Sequence, residues 1–473
     1  MTSIVILGGG PAGYESALVA ASLGATVTVV DRDGMGGACV LTDCVPSKAL
    51  IATSDRVTSL RGAAELGVHA GDTGDGTGNT VEVDLAAVNA RIRGLATKQS
   101  EDIEARVMRE GVTILPGAGR FAAEQAGRTF AVEVVDAAGT VTATLTADVV
   151  LLATGATPRV LPTAVPDGER ILSWRQVYDL DAMPEHLVVI GSGVTGAEFA
   201  SGYCELGVPV TLVSSRDRVL PGEDADAAGV IEHVFTTSGG TLLKQARAAS
   251  VERSGDGVLV TCTDGREVRG SHALMCLGSV PNSTDLGLEH VGVDLDDRGY
   301  VVTDRVSRTS VPGVYAAGDI TGVLLLASVA AMQGRIAMWH ALGEAVAPLR
   351  LKTVAANVFT HPEIATVGIG TAAVSAGEID AREVVLPLGT NPRAKMSNLH
   401  DGFVKVYCRA ATGVVIGAVV VAPEASELVL PLSLAVQRGL TVNHLASTMA
   451  VYPSLSGSIT EAARRLMHHD DLD

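Results

Sequence analysis

The sequence predicts an α/β protein in which two βαβ units are followed by a C-terminal α+β domain. Three observations carry that prediction. A short apolar strand runs into a G-x-G-x-x-G loop and a helix at the N-terminus, and the same pattern returns at residues 187–196. Each copy closes with a second apolar strand. Residues 351–473 carry no such loop and mix strand and helix patterns. At 473 residues the chain is too long for one hydrophobic core, so several domains are expected.

In the first copy Ser3 to Leu7 reads as a buried strand and Gly8-Gly9-Gly10-Pro11-Ala12-Gly13 as the turn. Tyr14 to Leu23 reads as a helix ended by Gly24, and Ala25 to Val30 as the next strand, closing at Asp31. In the second copy Leu187 to Ile190 is the strand and Gly191-Ser192-Gly193-Val194-Thr195-Gly196 the turn. A helix to Leu206, a break at Gly207 and a strand Val210 to Val213 follow, closing at Ser214. A lone glycine motif is weak, but two copies between strand and helix form complete Rossmann-type dinucleotide fingerprints. The glycines let the backbone approach a pyrophosphate, and the helix N-terminus offers free N–H groups.

The stretch Gly71 to Thr80 reads as a mobile loop, Arg91 to Glu110 as a charged surface helix, and Phe130 to Leu152 as antiparallel strands. In the C-terminal part, Val404 to Tyr407 and Val414 to Val421 read as strands, and Ala425 to Arg438 and Val442 to Met449 as helices. That composition suits a domain that pairs subunits. The predicted domains are 1–155 (first nucleotide domain, first part), 156–275 (second nucleotide domain), 276–350 (first domain, second part) and 351–473 (interface).

Composition narrows the function. Hydrophobic residues make up 47% of the chain and the formal net charge is −18, which argues against nucleic acid or anionic lipid as a partner. No apolar run approaches the ~18–20 residues of a membrane helix. The N-terminus shows no basic region or cleavage site, so a cytoplasmic protein without membrane insertion is expected. Six cysteines in this length do not form a disulfide framework. Cys204, Cys262, Cys276 and Cys408 read as small buried hydrophobes. His468-His469-Asp470-Asp471 reads as a frayed terminus, and no metal site is expected.

The residue that closes each fingerprint separates the two ligands. Asp31 lies 18 residues past Gly13, where an acid can bond a ribose hydroxyl. Ser214 lies 18 residues past Gly196, so the second site has no carboxylate there, and Ser215, Arg216 and Arg218 stand beside it. Arginine accommodates a 2′-phosphate, so this site leans toward NADPH while leaving NADH open.

Gly36-Gly37-Ala38-Cys39, with Cys44, Pro46 and Lys48 following, resembles the G-G-x-C-x-x-x-x-C-x-P-x-K motif of the pyridine nucleotide-disulfide oxidoreductases. The resemblance covers the whole chain. Ala153-Thr154-Gly155, Gly278-Ser279-Val280-Pro281-Asn282, Ala317-Gly318-Asp319 and Phe359-Thr360-His361-Pro362-Glu363 match further family motifs in order, with Ser279 where arginine is usual. The resemblance implies a homodimer with FAD on the first fingerprint (Gly8, Gly10, Pro11, Ala12, Gly13), Asp31 on its adenosine ribose and Asp319 on its ribityl chain. It assigns Gly37, Ala38, Lys48, Gly117, Thr154, Gly155, Gly278, Gly318, Leu326 and Ala327 to the cofactor set as well. The nicotinamide nucleotide would use Gly191, Gly193, Val194, Thr195, Gly196, Glu198, Ser214, Ser215 and Arg216. A Cys39–Cys44 disulfide would face the flavin, Cys44 nearest, and Lys48 and Glu198 would pair near its N5.

The tail departs from that pattern. Disulfide reductases of the family end in H-P-T-x-x-E, whose histidine is the acid/base for thiol exchange. Here Tyr452-Pro453-Ser454-Leu455-Ser456-Gly457 puts Tyr452 for the histidine and Gly457 for the glutamate. A tyrosine of pKa ~10 is a poor base at neutral pH. Hydride transfer from NAD(P)H to flavin needs neither residue, so the pattern resembles the NAD(P)H:quinone reductase-type members. The expectation is a catalytic set of Cys39, Cys44, Lys48, Glu198 and Tyr452 and a quinone-type acceptor. The alternatives are a dihydrolipoamide dehydrogenase of a 2-oxoacid dehydrogenase complex and a flavin-binding sensor without turnover.

Overall fold

A computed structural model describes residues 1–69, 81–125, 127 and 129–467. The loop expected at 71–80 and the terminal histidine–aspartate run lie outside these residues. The chain divides into two compact units. One comprises 1–49, 89–159 and 278–350, and the other 50–88, 160–277 and 351–473.

The first unit holds a five-stranded parallel sheet. Ser3–Leu7 sits between Thr26–Asp31 and Val149–Leu152, with Thr113–Pro116 and Val314–Ala316 at the edges. Four of the five residues in Ser3–Leu7, and all four of Val149–Leu152, are buried, as expected for a sheet covered on both faces. The helix Pro11–Ser22 covers one face and packs on Ala327–Ala341, where Gly334 lets the backbones meet; a Cβ there would lie 2.4 Å from the Ala12 carbonyl oxygen. A three-stranded antiparallel sheet of 118–121, 130–135 and 141–147 lies beside it in sequence.

Three expectations need correction here. The antiparallel reading holds for Phe130–Val135 and Val141–Ala147, but Val149–Leu152 joins the parallel sheet, because its continuous apolar run is buried on both faces. The first fingerprint helix starts at Pro11 rather than Tyr14, since proline at the first helical turn has its φ preset and needs no N–H partner. The charged helix starts earlier than expected, Leu85–Arg109, because Leu85 and Asn89 are also buried.

In the second unit a five-stranded parallel sheet has Leu187–Ile190 flanked by Val210–Val213 and His272–Met275. The C-terminal part forms an antiparallel sheet in which Val415–Ala422 pairs with Glu363–Gly368 and Phe403–Arg409. Every residue of Val415–Ala422 is buried, and the helices Leu430–Arg438 and Gly457–Arg465 close over this core through Leu432, Ala435, Ile459, Ala462 and Ala463. The helix expected over 425–438 is split into Ala425–Leu428 and Leu430–Arg438, with Pro431 in the first turn of the second piece. The next helix stops at Ala446 instead of Met449, and Met449 is almost fully exposed. Among the described residues no helix is long and apolar enough to cross a membrane.

Candidate active site

The two glycine loops have the same geometry. Gly8 and Gly191 take φ of +105° and +109°, and a Cβ on either would lie 2.3 or 2.2 Å from the carbonyl oxygen of the neighbouring strand end, Ala153 or Cys276. Gly13 and Gly196 are forced by closer approach: a Cβ there would stand 1.9 or 1.8 Å from the Gly8 or Gly191 oxygen. Above Gly10 and Gly193 the space is open, as a pyrophosphate needs. Pro11 and Ala12 open the first helix, and Val194 and Thr195 the second. Both loops therefore fit the phosphates of a dinucleotide, and the tight contacts exclude a side chain at Gly8, Gly13, Gly191 and Gly196.

The ends of the two units differ. The Asp31 carboxylate accepts three backbone N–H bonds, from Gly9 at 2.5 Å, Asp33 at 2.9 Å and Gly34 at 2.6 Å, which fix it at the mouth of the first loop. A cavity of about 350 Å³ opens there, lined by Gly8, Asp31, Gly117, Thr154 and Asn282 among others. Asn282 and Thr154 clamp each other: the amide donates to the Thr154 carbonyl at 2.8 Å and the hydroxyl to the Asn282 carbonyl at 2.7 Å. In the second unit Ser214 is fully buried, its hydroxyl 2.7 Å from that of Ser192. Arg218 donates to the Pro221 and Glu223 carbonyls of its own loop, so it is engaged in loop structure. Ser215 and Arg216 are exposed. Of the two arginines, Arg216 is exposed and Arg218 is half-buried against its own loop.

Cys39 lies in the short helix Gly37–Leu41, and Cys44 opens the helix Cys44–Gly62 that carries Lys48 one turn on. The two side chains lie close enough to interact with each other, both largely buried. That contact, with Lys48 adding its positive charge, draws Cys39 below the ordinary thiol range, although burial opposes it. The same contact and burial push Cys44 well above it. Asp319 is also pushed up, to about 6, by burial and then by the charge of Asp43. Gly318 donates its N–H to the buried Gln333 side chain at 2.9 Å, which sets the strand end before Asp319. Gln333 was not flagged from the sequence; only its place on the apolar helix begun by Leu326 and Ala327 marked it.

Glu198 is buried in the second unit and accepts the Phe359 N–H at 2.9 Å. Gly155 and Gly278 sit at the two ends of a short antiparallel pairing of 156–158 with 279–281, both with positive φ. Tyr452 is 82% exposed, between exposed Val451 and half-buried Pro453. Gly457 begins the helix Gly457–Arg465 with its N–H on the Ser454 hydroxyl, and Asn391 secures the segment through the Ser454 carbonyl and the Ser458 hydroxyl. A cavity of about 320 Å³ beside Tyr452 is lined by Asn391, Pro453, Ser454, Gly457 and Arg465. The exposed apolar run Met449, Val451 and Tyr452 is what an interface segment presents.

A flavoprotein oxidoreductase scaffold is the class of protein that these loops, cysteines and strand ends define. The chain belongs to the pyridine nucleotide-disulphide oxidoreductases: the family model of that description matches residues 2–334 and that of its dimerisation domain residues 354–463. It is 60% identical to an NAD(P)H dehydrogenase (quinone) of Mycobacterium tuberculosis over all of this chain and 95% of that protein. It is 33% identical to a dihydrolipoyl dehydrogenase of Haloarcula marismortui over 98% of the chain and 96% of that protein. Among solved structures, that of LpdA from Mycobacterium tuberculosis superposes with a TM-score of 0.93 at 59% identity, covering 99% of this chain and 100% of that one.

Proposed function

We propose that this enzyme is a cytoplasmic homodimer that takes hydride from NADPH or NADH onto FAD and passes the electrons to a quinone-type acceptor. The observation that carries the reading is the contrast between intact loops and altered tail. Both phosphate cradles, Asp31, Asp319, Cys39, Cys44, Lys48 and Glu198 are in place, while Tyr452 and Gly457 replace the acid/base pair of thiol exchange. The Mycobacterium relative named for quinone reduction, at 60% identity, supports it.

FAD, when bound, supplies a two-electron carrier that accepts hydride on one face. The chain's residues do the rest. The first cradle and Asp31 hold the adenosine diphosphate end, and Gly155, Gly278 and Asp319 flank the path toward the ring. Lys48 provides positive charge for the reduced ring, and in the family layout Glu198 orients it. The second cradle holds the incoming nucleotide, and the exposed Arg216, with no acid at Ser214, favours the 2′-phosphate of NADPH. A second reading, dihydrolipoamide dehydrogenase, is favoured by the Cys39–Cys44 pair and by the 33% identical dihydrolipoyl dehydrogenase of Haloarcula marismortui.

Steady-state oxidation of NADPH and NADH with a small quinone, beside the absorbance spectrum of the purified protein, tests the proposal. The expected result is a yellow protein that reduces quinone with NADPH at least as well as with NADH. A folded protein without flavin bands, or one that oxidises neither nucleotide, would refute it.

A further inference from the structure

The C-terminal part of the chain carries no nucleotide motif, yet it holds one end of the loop that bears Arg216. Lys405 lies on the strand Phe403–Arg409 with its side chain only 2% exposed. Its ammonium sits 2.9 Å from both Asp224 oxygens and 2.6 Å from Asp226. Asp224 is itself 3% exposed, and its carboxylate also accepts the Thr371 hydroxyl, which Tyr407 joins. The same carboxylate caps the helix Ala225–Thr237, taking the N–H groups of Asp226 at 3.0 Å and Ala227 at 3.2 Å.

From Asp224 the constraint runs back along the loop. Glu223 N–H bonds the Leu220 carbonyl at 3.0 Å, and Leu220 N–H bonds the Ser192 carbonyl of the glycine loop at 2.8 Å. Val219 N–H is held by Glu232 at 2.8 Å. At the other end Ser214 is pinned to Ser192, and the Arg216 carbonyl takes the Gln245 N–H at 2.9 Å. Arg216 therefore projects from a loop fixed at both ends and in the middle, with the Lys405 anchor coming from outside the nucleotide domain. A buried lysine between two carboxylates is worth little as net stability against an apolar isostere, but removing it strands the Asp224 charge and frees the end of the loop.

We propose that Lys405 is a positioning residue for nicotinamide nucleotide recognition: through Asp224 it fixes the 214–223 loop that presents Arg216 to the 2′-phosphate. This rests on the NADPH reading above, and it adds that the interface domain sets the affinity of a site in the nucleotide domain.

The test uses the oxidised, flavin-loaded enzyme and its Lys405→Met variant, with NADP⁺ and NAD⁺ binding by titration calorimetry beside steady-state kinetics. The Kd for NADP⁺ and the KM for NADPH should rise about tenfold, with kcat and flavin content nearly unchanged, the signature of lost binding rather than lost chemistry. Lys405→Arg should recover part of the loss. Should Lys405→Met fail to fold, Tyr407→Phe with Thr371→Val loosens the same carboxylate without stranding a charge and should raise the same constants by a smaller factor. A folded variant with a lower melting temperature but unchanged Kd and KM would overturn the inference and leave Lys405 a structural tie. The two readings fail separately. If the parent enzyme prefers NADH and Lys405→Met still raises its KM, the NADPH preference falls and the positioning role stands. If the parent prefers NADPH and no variant shifts its affinity, the positioning role falls alone.

Discussion

The cysteine helix and the 452–457 segment are the two regions on which disulfide chemistry depends in this family, and they have diverged. The first keeps everything: Cys39 and Cys44 touch, Lys48 follows one turn on, and Cys39 is drawn below the ordinary thiol range. The second keeps Pro453 but neither the histidine nor the glutamate. Tyr452 stands exposed where a histidine would act, and Gly457, without a carboxylate, starts a helix through the Ser454 hydroxyl. A thiol pair without its base is a poor exchange catalyst, because a positioned general base is worth about 10²–10⁴ in rate. A redox motif read alone therefore leaves the acceptor undecided, because the exchange chemistry depends on both regions.

The largest effect expected from disturbing this contrast comes from restoring the tail. Tyr452→His with Gly457→Glu should raise lipoamide reduction by about 10² or more, measured as NADPH-dependent turnover of lipoamide. Either single change should do less, because an unoriented histidine seldom holds the productive geometry. Gel filtration of the double variant checks that the interface survives. Next in size, Arg216→Glu should raise the KM for NADPH about tenfold and leave that for NADH nearly unchanged, since one charge-assisted contact to the 2′-phosphate is lost. Equal changes for both nucleotides would show that Arg216 serves the loop and not the phosphate.

Smaller effects bear on the cysteines themselves. In the reduced enzyme the depressed Cys39 and raised Cys44 predict that alkylation falls first on Cys39. The sign is that of a thiol whose folded pKa is lowered: its thiolate persists as pH falls below the ordinary thiol range, and reactivity is lost only below the lowered value. Peptide mapping after brief alkylation across pH 6 to 9 reads this out. Cys44 labelled first would reverse the assignment. The smallest change is expected from Cys39→Ser and Cys44→Ser, each of which should leave quinone reduction within about twofold, because the electrons need not pass through sulfur.

What the sequence disclosed follows from how local each feature is. Gly8, Gly13, Gly191 and Gly196 were legible because only glycine tolerates those contacts, and Asp31 because its spacing from the loop is fixed by one helix and one strand. Val149–Leu152 was misread because an apolar run of four does not reveal whether its partners are parallel. The broken helix at Pro431 was legible in principle, since an internal proline is a boundary signal. The capture of Arg218 by Pro221 and Glu223 was not legible, because it depends on how the loop turns. Gln333 and Lys405 were invisible because each acts through a partner distant in sequence, Gly318 for one and Asp224 for the other.

The most direct test of the account compares quinone and lipoamide turnover with NADPH in the parent enzyme and in Cys44→Ser. Quinone reduction should survive the substitution, and lipoamide reduction should be weak or absent from the start. Lipoamide turnover matching that of quinone, with both abolished by Cys44→Ser, would make the cysteine pair the obligatory electron exit and contradict it.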